Sequence, residues 1–554
     1  MTSKGPRPSM RFRGWRAWLV GLAATSLTTW LLVRGGMPAV ATGIVGIAAL
    51  TAGCGLGIGG LRRLLSPATG ITGVARTVLD EAVRMRAALV LLVLVVLLVP
   101  TLPLVLDHSE RLHYRIQFVI NWVLGGTGLI LGALTLVLAC GSVCGDIDSN
   151  RIHMTLAKPL QRWEYLVGKW LGIVLFDLLL VILTGAGTAT FIALLASTEA
   201  VDPEDRAAVD GQVLTARMAI QPGHDKPEEY EAAIDAAIRQ LEKDDPDAFV
   251  GDPETARRRI RQEYDWEWHT VTPDLVSTYV FSGLASAREV PGGTLQLQLK
   301  PRAYNVDVDL ADVRFALWLN GRPWPLEDGT HVEQQLETLA VHVLDLPADT
   351  VDEQGVLRLT VANRNLVPAG ETQPTAITFS PGDGLRIMVR VGGFTGNFLR
   401  CLAVIWIKLA LVAALGVAAA TCMGFPMAIL ASGVVAVAAV GSGFFRDAGG
   451  LYNMSSRSLL GSIAERLLAT WDLVTQVRLY EAFRMLLGFV TDAILWLIPS
   501  FSDYDSVARL ATGMAIPWGD VVSCLWWIGL VSPLLVGLAG WLVFDRRDLV
   551  RSSS

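Results

Sequence analysis

Charge is scarce in this sequence, and unevenly so. Of 554 residues only 18% are charged and 52% are hydrophobic, and the mean hydropathy is +0.45. A soluble globular chain is rarely so apolar. Most of the charge falls between about residues 197 and 390, which leaves the rest more apolar still. The pattern is that of an integral membrane protein with one inserted water-soluble domain. Cysteine is sparse too. Cys54, Cys140, Cys144, Cys401, Cys422 and Cys524 all lie in or beside apolar runs, so no disulfide framework holds the polar insert. Cys140 and Cys144, four apart near a helix end, are compatible with a metal or redox pair, but packing as small hydrophobes is the plainer reading. The seven histidines, His108, His113, His153, His224, His269, His331 and His342, avoid the apolar cores, which argues against an intramembrane enzyme built on histidine. The phosphate-loop pattern GxxxxGK[ST] is absent. A formal GxGxxG at Gly55–Gly60 sits inside an apolar run with no strand before it, and reads as a close-packing helix face; Gly128 and Gly132 repeat the small-residue spacing. A net charge of -6 gives no footprint for nucleic acid.

What the sequence has in quantity is long apolar runs. Crossing a hydrocarbon core of ~30 Å takes about 20 residues. The runs at 15–33, 40–61, 87–106, 118–140, 166–196, 398–420, 425–445 and 521–544 qualify, so about eight spans are expected. The basic arm before residue 17 and the Ala39-Val40-Ala41 that follows resemble a signal peptide, but a second apolar run begins at once, and an uncleaved hairpin over 1–66 is the preferred reading. Basic residues fix the orientation. The N-terminal arm, the stretch from Arg62 to Arg86, the group Arg151, Lys158, Arg162 and Lys169, and the C-terminal Arg546, Arg547 and Arg551 all fall in the cytoplasm if eight helices cross. Both termini are then cytoplasmic and the insert lies outside. Segment 480–499 contains Glu481, Arg484 and Asp492; a ninth crossing there would invert the C-terminus, so it is expected to be a re-entrant or interfacial helix. Residues 73–86 alternate Val74, Val78 and Val83 with charges at helical spacing, which predicts an amphipathic helix at the inner interface.

Between 197 and 396 the chain changes character. Segments 227–244 and 253–266 are charged and helical. From residue 279 onward a period of two takes over, at 294–299, 313–319, 339–344, 356–361 and 385–391, with a hairpin signal at Asn320-Gly321. An extracytoplasmic α+β domain containing a β-sandwich is expected. Trp318, Trp324 and Tyr304 are candidates to line a ligand site, although core or edge packing is the commoner use of such residues.

The stretch from Gly145 to Gly172 joins the fourth and fifth spans and is unlike an ordinary loop. Asp146 and Asp148 are placed to cap a short helix, Pro159 to end it, and Trp163 and Trp170 to anchor the next one at the interface. Such a piece, over 141–165, can dock on a cytoplasmic partner; binding lipid phosphates through its basic residues is the alternative. Here the sequence resembles the membrane subunits of type-two ABC exporters. Pro159, Arg162 and Gly168-Lys169, within LAKPLQRWEYLVGKWLG, stand where that family has a Pro, an Arg and a Gly-Lys. The end of the chain, with Pro499, SFSDYDSVARL, Ile516-Pro517-Trp518 and FDRRDL, is also similar to the family. The usual Gly-Thr is replaced near Asn150-Arg151, and the N-terminal hairpin and outer domain are additions to the family core.

The resemblance implies a permease core in two halves, 67–196 and 397–554. It implies coupling through Asp146, Asp148, Arg151, Pro159, Arg162, Gly168 and Lys169 to a separate ATPase that carries the ATP and magnesium. It also implies a path between two permease copies, alike or different, with lipid around them and no covalent chemistry in this chain. The rival reading is a membrane-anchored binding protein that works through its β-rich domain, with an extracytoplasmic partner. Within the spans, Asp177 and Lys408 are expensive charges. An intramembrane pair between them is one expectation; the other is a Lys408 that reaches toward the interface and an Asp177 held by neighbouring hydroxyls.

Overall fold

The computed structural model describes residues 26, 28–30, 34, 38–65, 69–101, 106, 110–149, 161–244, 253–273, 275–285, 294–304, 312–327, 330–331, 333–365, 375–451 and 500–546. The chain forms two compact units. Helices on both sides of the insert make one of them, and Ala216–Gly392 forms the body of the other.

The helical unit begins with α1 (Pro38–Leu64), α2 (Gly70–Arg84) and α3 (Arg86–Leu98). The space at Gly59 and Gly60 of α1 is open, but a Cβ on Gly57 would meet the side chain of Leu179, and one on Gly53, before the motif, that of Leu183, so only Gly57 of the three shows the expected close packing. Around Gly128 and Gly132 the space is open too. Thr69 and Thr72 cap the start of α2 reciprocally. Its apolar stripe, Val74, Ala75, Val78, Leu79 and Ala82, is buried by protein. At 13 residues, α3 is about 20 Å long and falls short of the 87–106 span expected for it. The long pair α4 (Leu112–Asp148) and α5 (Arg162–Ala196) follows, then the short α6 (Pro203–Ala208). Asp205 of α6 caps α4. Its carboxylate accepts from the backbone N–H of Leu112 at 2.8 Å and of His113 at 3.0 Å, and lies 2.7 Å from the His113 ring nitrogen. Burial alone would raise this carboxyl; the bonds from His113, Leu112 and Val201 outweigh it and hold the pKa at about 2.

The second unit holds α7 (Pro227–Asp244) and α8 (Pro253–Trp268), joined across their surfaces by Arg261 and Glu231 at 2.7 Å. Its strands are β1 (Thr215–Ile220), β2 (Gly223–His224), β3 (Thr270–Val271), β4 (Val276–Phe281), β5 (Thr294–Leu299), β6 (Pro301–Tyr304), β7 (Asp312–Leu319), β8 (Arg322–Trp324), β9 (Leu326–Glu327), β10 (Thr330–His331), β11 (Gln334–Glu337), β12 (His342–Pro347), β13 (Leu357–Asn363), β14 (Ala376–Phe379) and β15 (Leu385–Gly393). They form sheets ordered β1-β15-β5-β12, β11-β7-β13-β4-β2 and β3-β14-β6, with β8 paired to β7 and a β9-β10 ribbon. Alternate residues of all three larger sheets, including Leu297, Ile387, Leu317, Val361, Ile377 and Phe379, meet in a single apolar core. Asn320 and Gly321 both have positive φ, and turn β7 into β8. Trp318 and Trp324 lie on that hairpin as packing residues, Trp324 against the core and Trp318 opposite Thr360 and Pro323 in the sheet; the side chain of Tyr304 lies outside the described residues.

The helical unit resumes with α9 (Phe394–Cys422) and α10 (Phe425–Leu451), then α11 (Ser506–Ala511) and α12 (Trp518–Arg546), which carries a π-helical stretch at Leu525–Val531. α9 is the most enclosed and packs on α4, α5 and α12. Two indoles lock it to α5: Trp170 donates to the Ala410 carbonyl at 2.8 Å and Trp406 to that of Val174 at 3.0 Å. Cys140 and Cys144 are free thiols buried against α9, each with its sulfur near α9 backbone carbonyls, so they pack. Among the described residues six helices are long and apolar enough to cross a membrane: α1, α4, α5, α9, α10 and α12. The runs at 15–33 and 480–499 lie largely or wholly outside the described residues.

Candidate functional site

The roots of the 141–165 loop meet in a buried polar cluster. The 3.6-residue period puts Tyr165, Lys169, Gly172, Ile173 and Phe176 on the buried face of α5. Lys169 is thereby carried inward, its side chain 1% exposed. Its Nζ lies 2.8 Å from Asp146 Oδ2, 2.9 Å from Glu81 Oε2 and 3.3 Å from the Ser142 carbonyl. Tyr165 donates its hydroxyl to the same Asp146 oxygen at 2.8 Å. One ammonium thus holds a carboxylate from the end of α4 and another from α2. Removing a buried charge's partner is expensive, by about 3–5 kcal/mol, so the cluster fixes the three helices together.

The two glycines let α2 come this close. A Cβ on Gly168 would fall 2.9 Å from the Ile71 carbonyl oxygen, and one on Gly172 2.6 Å from that of Ala75. Gly168 and Lys169 therefore act on the same neighbour, the first by absence of a side chain and the second by an ion pair. Beside them α5 starts with Glu164 accepting from the Gln161 N–H at 2.9 Å. Arg162 turns the other way. Its Nη1 donates to the carbonyls of Phe544 and Asp545, both at 2.8 Å, in the last turn of α12. A cation there meets unsatisfied carbonyls and the negative end of the helix dipole. A separate apolar cavity of about 530 Å³ opens between α5, α9 and α12, with Trp163, Trp170 and Trp541 in its wall.

Of the residues singled out from the sequence, the structure brings Asp146 and Lys169 into contact, and places Arg162 and Gly168 on the first two turns of α5. Arg151 and Pro159 lie outside the described residues. Two expectations need correction. Asp146 and Asp148 do not start a short helix. α4 continues through them, with Asp146 paired to Lys169 in the cluster and Asp148 exposed on the final turn. Nor do Asp177 and Lys408 pair. Lys408 donates to the carbonyls of Phe501 and Tyr504, each at 2.9 Å, which a short 3-10 turn at Ser502–Tyr504 presents to it. Asp177 instead contacts the Thr135 hydroxyl at 2.9 Å. Glu81 and Tyr165 were not foreseen as members of the cluster. Glu81 was nonetheless marked: it lies at i+7 from Val74 on the buried stripe of α2, where a carboxylate demands a partner.

Residues 73–205 match the family model described as ABC-2 family transporter protein. That segment contains Glu81, Asp146, Tyr165 and Lys169. The match supports a permease component of an ABC transporter rather than its nucleotide-binding subunit, and with the long apolar helices it supports a multi-pass membrane protein. The family implies a cytoplasmic ABC ATPase as partner. No curated protein and no solved structure matches the chain.

Proposed function

We propose that this permease works in an exporter and is driven by its ATPase through the 141–165 loop. The observation that carries the reading is the Lys169–Asp146–Glu81 cluster, which ties both roots of the loop to α2. A push on the loop cannot move α4 or α5 alone; it moves a braced unit, and Arg162 passes part of it to α12. Nucleotide and magnesium sit on the partner. Two permease copies, alike or different, enclose the path and alternate its access. Eight crossings put both termini and the loop in the cytoplasm and the α+β domain, a β-sandwich with two helices, outside, where it meets cargo or an extracytoplasmic protein.

Exchanging residues 150–160 for a Gly-Ser linker of equal length tests this. The variant is expected to insert and fold like the parent, to lose co-purification of the ATPase, and to lose ATP-dependent transport. Full retention of both would sink the coupling role. A parent chain that captures an outer ligand yet never an ATPase would favour the membrane-anchored binding protein instead.

A further inference from the structure

Asp177 is a buried acid that the coupling cluster does not use. It lies fifteen residues into α5, about four turns from Arg162, and is 0% exposed. Its Oδ1 has no hydrogen-bond partner among the described residues, and no cationic side chain there pairs with it. Its Oδ2 lies 2.9 Å from Thr135 Oγ on α4. The same hydroxyl is 2.7 Å from the Leu131 carbonyl, one turn back along its own helix.

A hydroxyl has a single proton. Other threonines in these helices give theirs to a carbonyl one turn back: Thr184 to Leu180 at 2.8 Å, and Thr188 to Thr184 at 2.7 Å. If Thr135 does the same, its contact with Asp177 sets oxygen against oxygen, and a second proton is required between them. The carboxyl is the group that can supply it. An ionised Asp177 would meet no donor for Oδ1, in a protein interior enclosed by hydrocarbon, where a bare charge is costly. A second polar atom in this region is also unpartnered among the described residues: the buried Thr127 hydroxyl, two turns from Thr135 on α4.

We propose that Asp177 is a proton-binding site within the membrane, holding a proton between its Oδ2 and Thr135 Oγ in the seam of α4 and α5, and exchanging it during turnover. The carboxyl donates to Thr135, and Thr135 donates to Leu131. α4 and α5 are the helices that the 141–165 loop connects, so parting them would admit water and let the proton leave. The binding itself follows from hydrogen-bond geometry; only the exchange rests on the transporter reading above.

Infrared difference spectra of the full chain in phospholipid nanodiscs, wild type minus Asp177→Asn at neutral pH, test the binding. The amide mimics a neutral acid, so the variant should elute and melt as the parent does. A protonated-carboxyl C=O band is expected in the wild type alone, shifting in D2O and moving to higher frequency in Thr135→Val. Carboxylate bands in its place overturn the proposal. If the C=O band is present in choline buffer and replaced by carboxylate bands in sodium, the site binds a metal cation and the proton assignment is wrong. Exchange is read from the pH profile of ATP hydrolysis by the assembled transporter, where Asp177→Asn should remove the alkaline limb. Unchanged profiles overturn the exchange. An assembly without ATPase activity would instead count against the coupling reading and leave the infrared result standing.

Discussion

Lys169 shows how one residue can be readable in kind and hidden in partner. Its place in a Gly-Lys pair was evident in the sequence; its contacts with Asp146 and with Glu81, 88 positions earlier, were not, because only the fold sets the end of α4 and α2 against α5. Lys169→Met leaves two carboxylates facing each other, 22% and 12% exposed, and should destabilise the chain by about 3 kcal/mol. Thermal unfolding of purified protein checks this, and adding Glu81→Gln should return part of the loss. No recovery in the double variant would mean that Glu81 is not the partner. The Asp177–Lys408 expectation failed for a related reason. Charges can be counted along a sequence, but backbone carbonyls aimed by a turn, such as those of Phe501 and Tyr504, cannot, and they satisfied the lysine first.

At the scale of elements, period was the reliable guide. The alternation at 294–299 and 385–391 became paired strands, and Asn320-Gly321 became the turn that its chemistry requires. Strand β12 arrived three residues later than expected, since Thr338 and Leu339 turn the chain; Leu339 takes φ +65° and donates its N–H to Pro301. Strands as short as β3 left too brief a pattern to detect. Caps are harder to foresee when they come from afar. Asp205 caps α4 from 93 residues away. Its folded pKa, about 2 against an ordinary 3.8, means that it contributes about 2 kcal/mol above pH 4. That contribution falls away as pH drops from about 4 through 2. Asp205→Ala should lower stability by a similar amount at pH 7 and by little near pH 2, as read from melting of the full chain. An equal effect at both pH values would contradict the cap.

On the scale of the whole chain, the two units should answer differently to acid. In the insert, His224 lies between the rings of Tyr230 and Trp268, with centroids at 3.5 and 3.6 Å. Burial lowers its pKa and that of His269, against the opposing pull of Asp265 on both and of Glu231 on His224. The folded state thus favours neutral rings. Their contribution is complete above about pH 6.5 and is lost as pH falls through the depressed values. Hydrogen exchange of full-length protein, corrected for the intrinsic rate, should show residues 223–244 and 253–271 losing protection as pH falls below about 6.5, before α9 does. Equal loss in both regions would dismiss the histidines as the cause. Membrane character and the insert were visible in composition alone; the assembly of helices from both sides of the insert into one unit was not, because it depends on packing such as α9 against α4.

The bond from Arg162 to Phe544 and Asp545 also constrains biogenesis. Its two ends are 382 positions apart, so the ribosome has made the whole insert and the helices from α9 into α12 before the arginine can be seated. A nascent chain arrested anywhere in the insert would already carry every member of the Lys169 cluster but not the carbonyls that seat Arg162. The tie between the start of α5 and the last turn of α12 is therefore among the late contacts of folding, whatever the loop is used for.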